Sequence, residues 1–137
     1  MLFPSAPERS QLESPARIVA VVDNDPSMRR SVERLLKVNG YVAEGHSSAE
    51  AFLNSADLSQ IGCVVLDIHL GGMGIALWHR LRDTGIDLSI IFITALEDEA
   101  LERETVKAGC VAYLHKPFPG DLLIGAVNRA LAGPPGT

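Results

Sequence analysis

The sequence predicts an α/β fold, a doubly wound (βα)5 sandwich around a five-stranded parallel sheet in the order 2-1-3-4-5. Three observations carry that prediction. Five short apolar runs recur, at residues 18–22, 41–45, 63–66, 90–93 and 111–114. A segment with helical periodicity follows each run. Four of the runs end in polar residues, namely Asp23-Asn24-Asp25, Asp67, Thr94 and His115-Lys116-Pro117. Short apolar runs rich in Val and Ile read as strands buried on both faces. Strands alternating with helices imply a parallel sheet covered on both sides, and right-handed crossovers leave few other topologies. In the 2-1-3-4-5 order the ends of strands 1, 3, 4 and 5 surround one crevice, where open parallel sheets bind ligands.

The helices follow in chain order. Asp25-Pro26 offers an N-cap acid and then proline at the first helical position. Met28, Val32, Leu35, Leu36 and Asn39 continue on one face until Gly40. Ser47 and Glu50 have capping-box spacing ahead of Ala51, Phe52 and Leu53. Ile75, Leu77, Trp78 and Leu81 make a third helix, with Trp78 expected to pack it onto the sheet or sit at the rim. Glu97, Asp98 and Glu99 suit the first turn of a fourth helix, which Gly109 closes. Residues 121–131 give a fifth. Residues 1–16, with three prolines and no periodicity, read as a flexible leader. The domain body spans 17–132, and 133–137 read as a tail or the start of a linker.

Composition narrows the function. A chain of 137 residues, 47% hydrophobic, is enough for one domain with one core. A net charge of −5 argues against a nucleic-acid surface, which needs clustered Lys and Arg. No apolar stretch approaches the roughly 18 residues of a membrane helix, and the start lacks a secretion signal, so a cytoplasmic location without membrane contact is expected. Cys63 and Cys110 form no C-x-x-C pair and read as inert thiols in a reducing compartment.

The strand-end residues gather carboxylates, a hydroxyl and an ammonium at one sheet edge. Asp67 follows Val64-Val65-Leu66, and a carboxylate there is costly unless exposed or paired; the plain alternative is a cap or turn residue. Asp23-Asn24-Asp25 presents adjacent oxygen ligands suited to a hard cation such as Mg²⁺. Asp25 has a ready alternative as N-cap, whereas Asp23 has no local partner. Thr94 can donate to a phosphoryl oxygen, or can cap the next helix with Glu97. Lys116 can balance a phosphoryl charge or pair with a carboxylate, and a cis Lys116–Pro117 bond could aim it inward. Tyr113 reads as a half-buried strand residue with its hydroxyl in water. His46, His79 and His115 lack metal-ligand spacing and read as surface residues.

These stretches resemble the receiver domain of two-component response regulators. The resemblance lies in Val22-Asp23-Asn24-Asp25-Pro26-Ser27-Met28-Arg29-Arg30, Val65-Leu66-Asp67-Ile68-His69-Leu70, Phe92-Ile93-Thr94-Ala95 and Tyr113-Leu114-His115-Lys116-Pro117-Phe118, and covers about residues 17–131. Asp-Pro-Ser-Met-Arg-Arg and Lys-Pro-Phe are similar to the FixJ-type subfamily. The resemblance implies a flavodoxin-like fold and a signalling module rather than an enzyme, one able to promote its own phosphorylation and dephosphorylation. Asp67 would accept a phosphoryl group from a sensor histidine kinase or phosphotransfer protein. Asp23, Asn24, Asp67 and the His69 backbone carbonyl would hold Mg²⁺. Thr94 and the Ala95 amide would bind phosphoryl oxygens, and Lys116 would contact the phosphoryl group and Asp67. Thr94 and Tyr113 would switch the face made by helix 4, strand 5 and helix 5, a face that could also pair two copies of the chain.

Two departures stand out. Asn24 replaces a second acid, which predicts weaker Mg²⁺ binding unless Asp25 turns inward at the cost of its cap. The loop His69-Leu70-Gly71-Gly72-Met73-Gly74 lacks the family's usual proline, has Gly71 in its place, is one residue short, and reads as flexible. Three other readings compete with the receiver. A small phosphohydrolase with an aspartyl-phosphate intermediate generally needs an acid where His69 stands. A nucleotide or flavin module needs a phosphate-cradling loop where Asp-Asn-Asp stands. A degenerate receiver would act through protein contacts alone.

Overall fold

A computed structural model describes residues 18–55, 57–85 and 88–132. The leader read at 1–16 and the tail at 133–137 lie outside the described residues. The elements are β1 Ile18–Val22, α1 Pro26–Val38, β2 Val42–His46, α2 Ala49–Ser55, β3 Ile61–Asp67, α3 Gly74–Asp83, β4 Ser89–Thr94, α4 Glu99–Lys107, β5 Ala112–His115 and α5 Gly120–Ala132. Short 3-10 turns at Leu58–Gln60 and Leu70–Gly72 flank β3. All pairings are parallel, in the order β2-β1-β3-β4-β5. No helix among the described residues is long and apolar enough to cross a membrane.

Alternate side chains of each inner strand enter opposite halves of the core, because the strand period is two. On one face Ala20, Val22, Val64, Leu66 and Phe92 meet Phe52, Leu77, Trp78 and Leu81. On the other Val19, Val21, Cys63, Val65, Ile91 and Ile93 meet Val32, Leu36, Leu123, Ala126 and Val127. Trp78 is buried edge-on against Phe92 at 5.2 Å between ring centroids, as expected for a residue packing α3 onto the sheet. Both cysteines are free; burial pushes the Cys63 thiol up to about 12, which makes it inert.

The helix ends show where local signals held and where they did not. Asp25 caps α1 by accepting from Ser27 N at 2.9 Å and Met28 N at 3.4 Å, with Pro26 at the first position. Gly40 and Gly109 take left-handed φ values of 89° and 99° just past α1 and α4, a region open to glycine. The cap of α2 is Ser48 rather than Ser47: Ser48 Oγ accepts from Ala51 N at 3.0 Å. Thr94 and Glu97 form no capping box. Asp98 caps α4 instead, accepting from Leu101 N at 3.0 Å.

The loop after β3 is wound into a compact turn. Leu70 is 4% exposed and belongs to the core cluster that also holds Leu77 and Trp78. Its φ of 32° and the 94° of Gly72 wind the segment into a 3-10 turn closed by Met73 N on Leu70 O at 3.2 Å. Gly74 then opens α3 so near the end of β3 that a Cβ there would lie 1.9 Å from Ile68 O. Glycine at 74 is what lets the short loop turn directly into a helix.

Candidate functional site

The hydrogen-bond ladder runs past the strand ends and fixes the polar residues beyond them. Asp23 N donates to His46 O at 3.1 Å, Ile68 N to Ile93 O at 2.9 Å, and Lys116 N to Thr94 O at 2.7 Å. Each residue of interest is thereby anchored on the neighbouring strand, so all of them lie at the carboxyl edge of one sheet.

Three of these side chains meet. Lys116 Nζ lies 3.0 Å from Asp23 Oδ2 and 3.7 Å from Asp67 Oδ2. The Lys116–Pro117 bond is cis. Asp23 is 0% exposed and Asp67 8%, so two carboxylates share one ammonium with little water between them. Burial raises the Asp23 pKa above the usual carboxylate value; the Asp25 amide and Lys116 oppose that rise, and Asp67 adds to it. The remaining oxygens are held by backbone: Asp25 N donates to Asp23 Oδ1 at 2.9 Å and His69 N to Asp67 Oδ1 at 3.1 Å. Asp67 thus makes the turn contact of its plain alternative and the ion pair as well.

The other expected residues are placed less directly. Asn24 is exposed, and Asp25 keeps its cap, so the inward turn that would compensate for the missing acid does not occur. Thr94 is buried, and its hydroxyl bonds locally, accepting from Leu96 N at 3.1 Å and reaching Leu96 O at 3.3 Å. Ala95 is exposed beside it. The His69 carbonyl accepts from Gly72 N inside the 3-10 turn and retains a second lone pair.

Two aromatic readings need correction. The Tyr113 hydroxyl is buried with no hydrogen-bond partner rather than wet, and its ring packs 6.3 Å from Phe92 and 5.5 Å from His115. Burial raises its pKa, with Asp98 and Glu102 adding to the effect. His46 is turned inward rather than lying at the surface: its ring meets Phe52 edge-on at 5.1 Å and Nε2 is buried. Burial depresses its pKa despite Glu44 at 3.8 Å. Sequence reasoning also missed Arg29, whose Nη1 donates to Asp23 O at 2.8 Å. The available signal was its place one turn into α1, since helical side chains lean toward the N-terminus.

The donor set can be tested against a divalent cation. Among the described residues no group of three or more His, Cys, Asp or Glu side chains converges on a point that could hold a metal ion. Two buried carboxylates nevertheless converge on the Lys116 ammonium, and all their donor atoms are oxygen. That donor set fits a hard cation that keeps several waters, as Mg²⁺ does.

Residues 19–128 match the family described as the response regulator receiver domain. The chain belongs to that family. It is 32% identical over 117 residues to the response regulator protein TodT of Pseudomonas putida, covering 85% of this chain and 52% of that protein. It is 36% identical over 113 residues to the transcriptional regulatory protein FixJ of Rhizobium meliloti, covering 82% and 55%. The chain therefore spans about half the length of these curated relatives. Among solved structures, a response regulator receiver protein from Burkholderia phymatum is 35% identical with a TM-score of 0.73, covering 88% of this chain and 98% of that one. The structure described as FixJ-N is 34% identical with a TM-score of 0.76, covering 88% and 97%. This receiver domain shares their five-stranded sheet, and FixJ relatives agree with the subfamily read from its motifs.

Proposed function

We propose that this receiver domain accepts a phosphoryl group on Asp67 from the phosphohistidine of a sensor histidine kinase or phosphotransfer protein, in a Mg²⁺-dependent step. The observation that carries the reading is the convergence of Asp23 and Asp67 on Lys116 at the carboxyl edge of the sheet. Asp67 Oδ attacks phosphorus, the phosphorus–nitrogen bond of the donor breaks, and the imidazole nitrogen leaves with the bonding pair. The His69 amide orients the attacking carboxylate, and Lys116 moves from the carboxylates to an oxygen of the arriving group. The Thr94 hydroxyl turns from Leu96 toward the same group, beside the Ala95 amide. Asp23, Asn24, Asp67 and the His69 carbonyl would hold Mg²⁺, which when bound supplies positive charge against that gathering on the transferring group.

An apolar hollow of about 200 Å³ between Met28, Leu35, Pro117 and Phe118, the last two following Lys116 in the chain, supports approach of a donor protein from that side. Phosphorylation would then bias Thr94 and Tyr113 and reshape the α4–β5–α5 face, which could serve as the contact between two copies. The domain would work in the cytoplasm without binding nucleic acid itself. The leader, body and tail boundaries read from the sequence belong to the same proposal.

Intact mass after incubation with acetyl phosphate tests the reading. A Mg²⁺-dependent adduct is expected in the unaltered protein and none in Asp67→Asn. A second reading, a degenerate receiver acting by protein contacts alone, is favoured by the exposed amide at Asn24, and the absence of an adduct from every donor tried would select it.

A further inference from the structure

We propose that Arg29 is a positioning residue for the Asp23 carboxylate, and that Gly45 is the gap that gives it room. The inference rests on the reading of Asp23 as a metal-holding carboxylate. Asp23 is fastened at four points: its amide on His46 O, Oδ1 under the Asp25 amide, Oδ2 on Lys116, and its carbonyl under Arg29 Nη1 at 2.8 Å. Backbone neighbours and Lys116 supply the first three, and the guanidinium supplies the fourth. A buried carbonyl without a partner is costly, so Arg29 closes the account of this turn. The location is also unfavourable for a cation, because the positive end of the α1 dipole lies there. An arginine kept at such a position needs a compensating contact, and the Asp23 carbonyl is that contact.

Gly45 on β2 completes the arrangement. A Cβ at 45 would sit 2.1 Å from Glu33 Oε2 and 3.1 Å from Arg29 Cδ. The Glu33 carboxylate, a movable side-chain end, therefore fills the space where a side chain would otherwise stand, and the Arg29 stem lies in tight contact beside it. The orientation of Asp23 matters more here because Asn24 brings no charge. Asp23 and Asp67 are left as the two charged oxygen donors of the set.

Three variants of the full chain, Arg29→Met, Arg29→Lys and Gly45→Ala, test the proposal with two readouts. One is hydrogen exchange of the Asp25 amide, which reports the turn without metal or phosphoryl group. The other is calorimetric titration with MgCl₂. Arg29→Met is expected to speed Asp25 exchange about tenfold, to weaken Mg²⁺ binding about tenfold and to lower the melting midpoint, because the buried Asp23 carbonyl loses its partner. Arg29→Lys, which keeps a donor, recovers part of both losses, and Gly45→Ala shows a smaller loss in each. Unchanged Asp25 exchange in Arg29→Met overturns the proposal. Should Arg29→Met fail to fold, unchanged exchange in both Arg29→Lys and Gly45→Ala overturns it. Faster exchange in the variants, in a protein that takes no Mg²⁺ even unaltered, supports the positioning role and overturns the metal reading on which its consequence rests.

Discussion

The turn after β1 and the loop after β3 both leave a buried strand, one carrying and the other directly following an aspartate of the candidate site, and are held in opposite ways. The first is polar and bonded: Asp23 and Asp25 accept from backbone amides, Lys116 and Arg29 add charged donors, and Pro26 starts the helix at once. The second is mainly apolar and steric, with the His69 amide on Asp67 Oδ1 as its one tie to the site's carboxylates. Leu70 is sunk in the core and Gly74 fits where no Cβ can. The first can therefore be altered by charge and pH, the second by volume. A site that must hold two carboxylates still and yet admit a phosphoryl group has one wall of each kind.

Removing Lys116 breaks the polar side most strongly. Lys116→Met leaves two buried carboxylates without their shared cation and is expected to cost about 3 kcal/mol near neutral pH. The burial that already raises the Asp23 pKa then acts without the ammonium that opposes it. A raised carboxylate pKa means stability present at low pH and lost as pH rises through that pKa, so the deficit shrinks on acidification. Urea unfolding at pH 5 and pH 7.5 reads the difference, and an equal deficit at both sinks the argument.

The steric side breaks next. Gly74→Ala forces the start of α3 off Ile68 O and is expected to cost about 2 kcal/mol, independent of pH. A calorimetric melt that matches the unaltered protein would show that the loop yields more easily than its packing implies. Asp25→Ala sharpens the contrast most gently. Losing the cap should cost about 1 kcal/mol while the Asp23 carboxylate keeps the Asp25 amide and Lys116. Chemical denaturation measures the loss, and a larger one would mean that cap and carboxylate are a single unit.

The same contrast explains what the sequence reveals. The strand order, the five helices, the Asp25-Pro26 start and the stops at Gly40 and Gly109 are local or periodic, and the structure has them all. The polar residues at strand ends were legible because a buried run ending in an acid leaves few explanations. The cap of α2 was misplaced by one residue because Ser47 and Ser48 are adjacent and backbone direction decides between them. The glycines of the β3–α3 loop gave no sign that Leu70 is buried, because that burial comes from residues distant in sequence. Arg29 was missed although its place one turn into α1 was a usable signal, whereas the inward turn of His46 depends on a contact with Phe52 on another element that no pattern within a strand encodes.

Trp78 is the single tryptophan of the chain. It stands in one packed cluster with Leu70 on one side and, through Phe92, with Tyr113 on the other. One indole therefore shares a core cluster with the loop that follows Asp67 and meets the β5 tyrosine through Phe92. Its emission is a label-free optical probe of that cluster, reported from the ring that packs on Phe92.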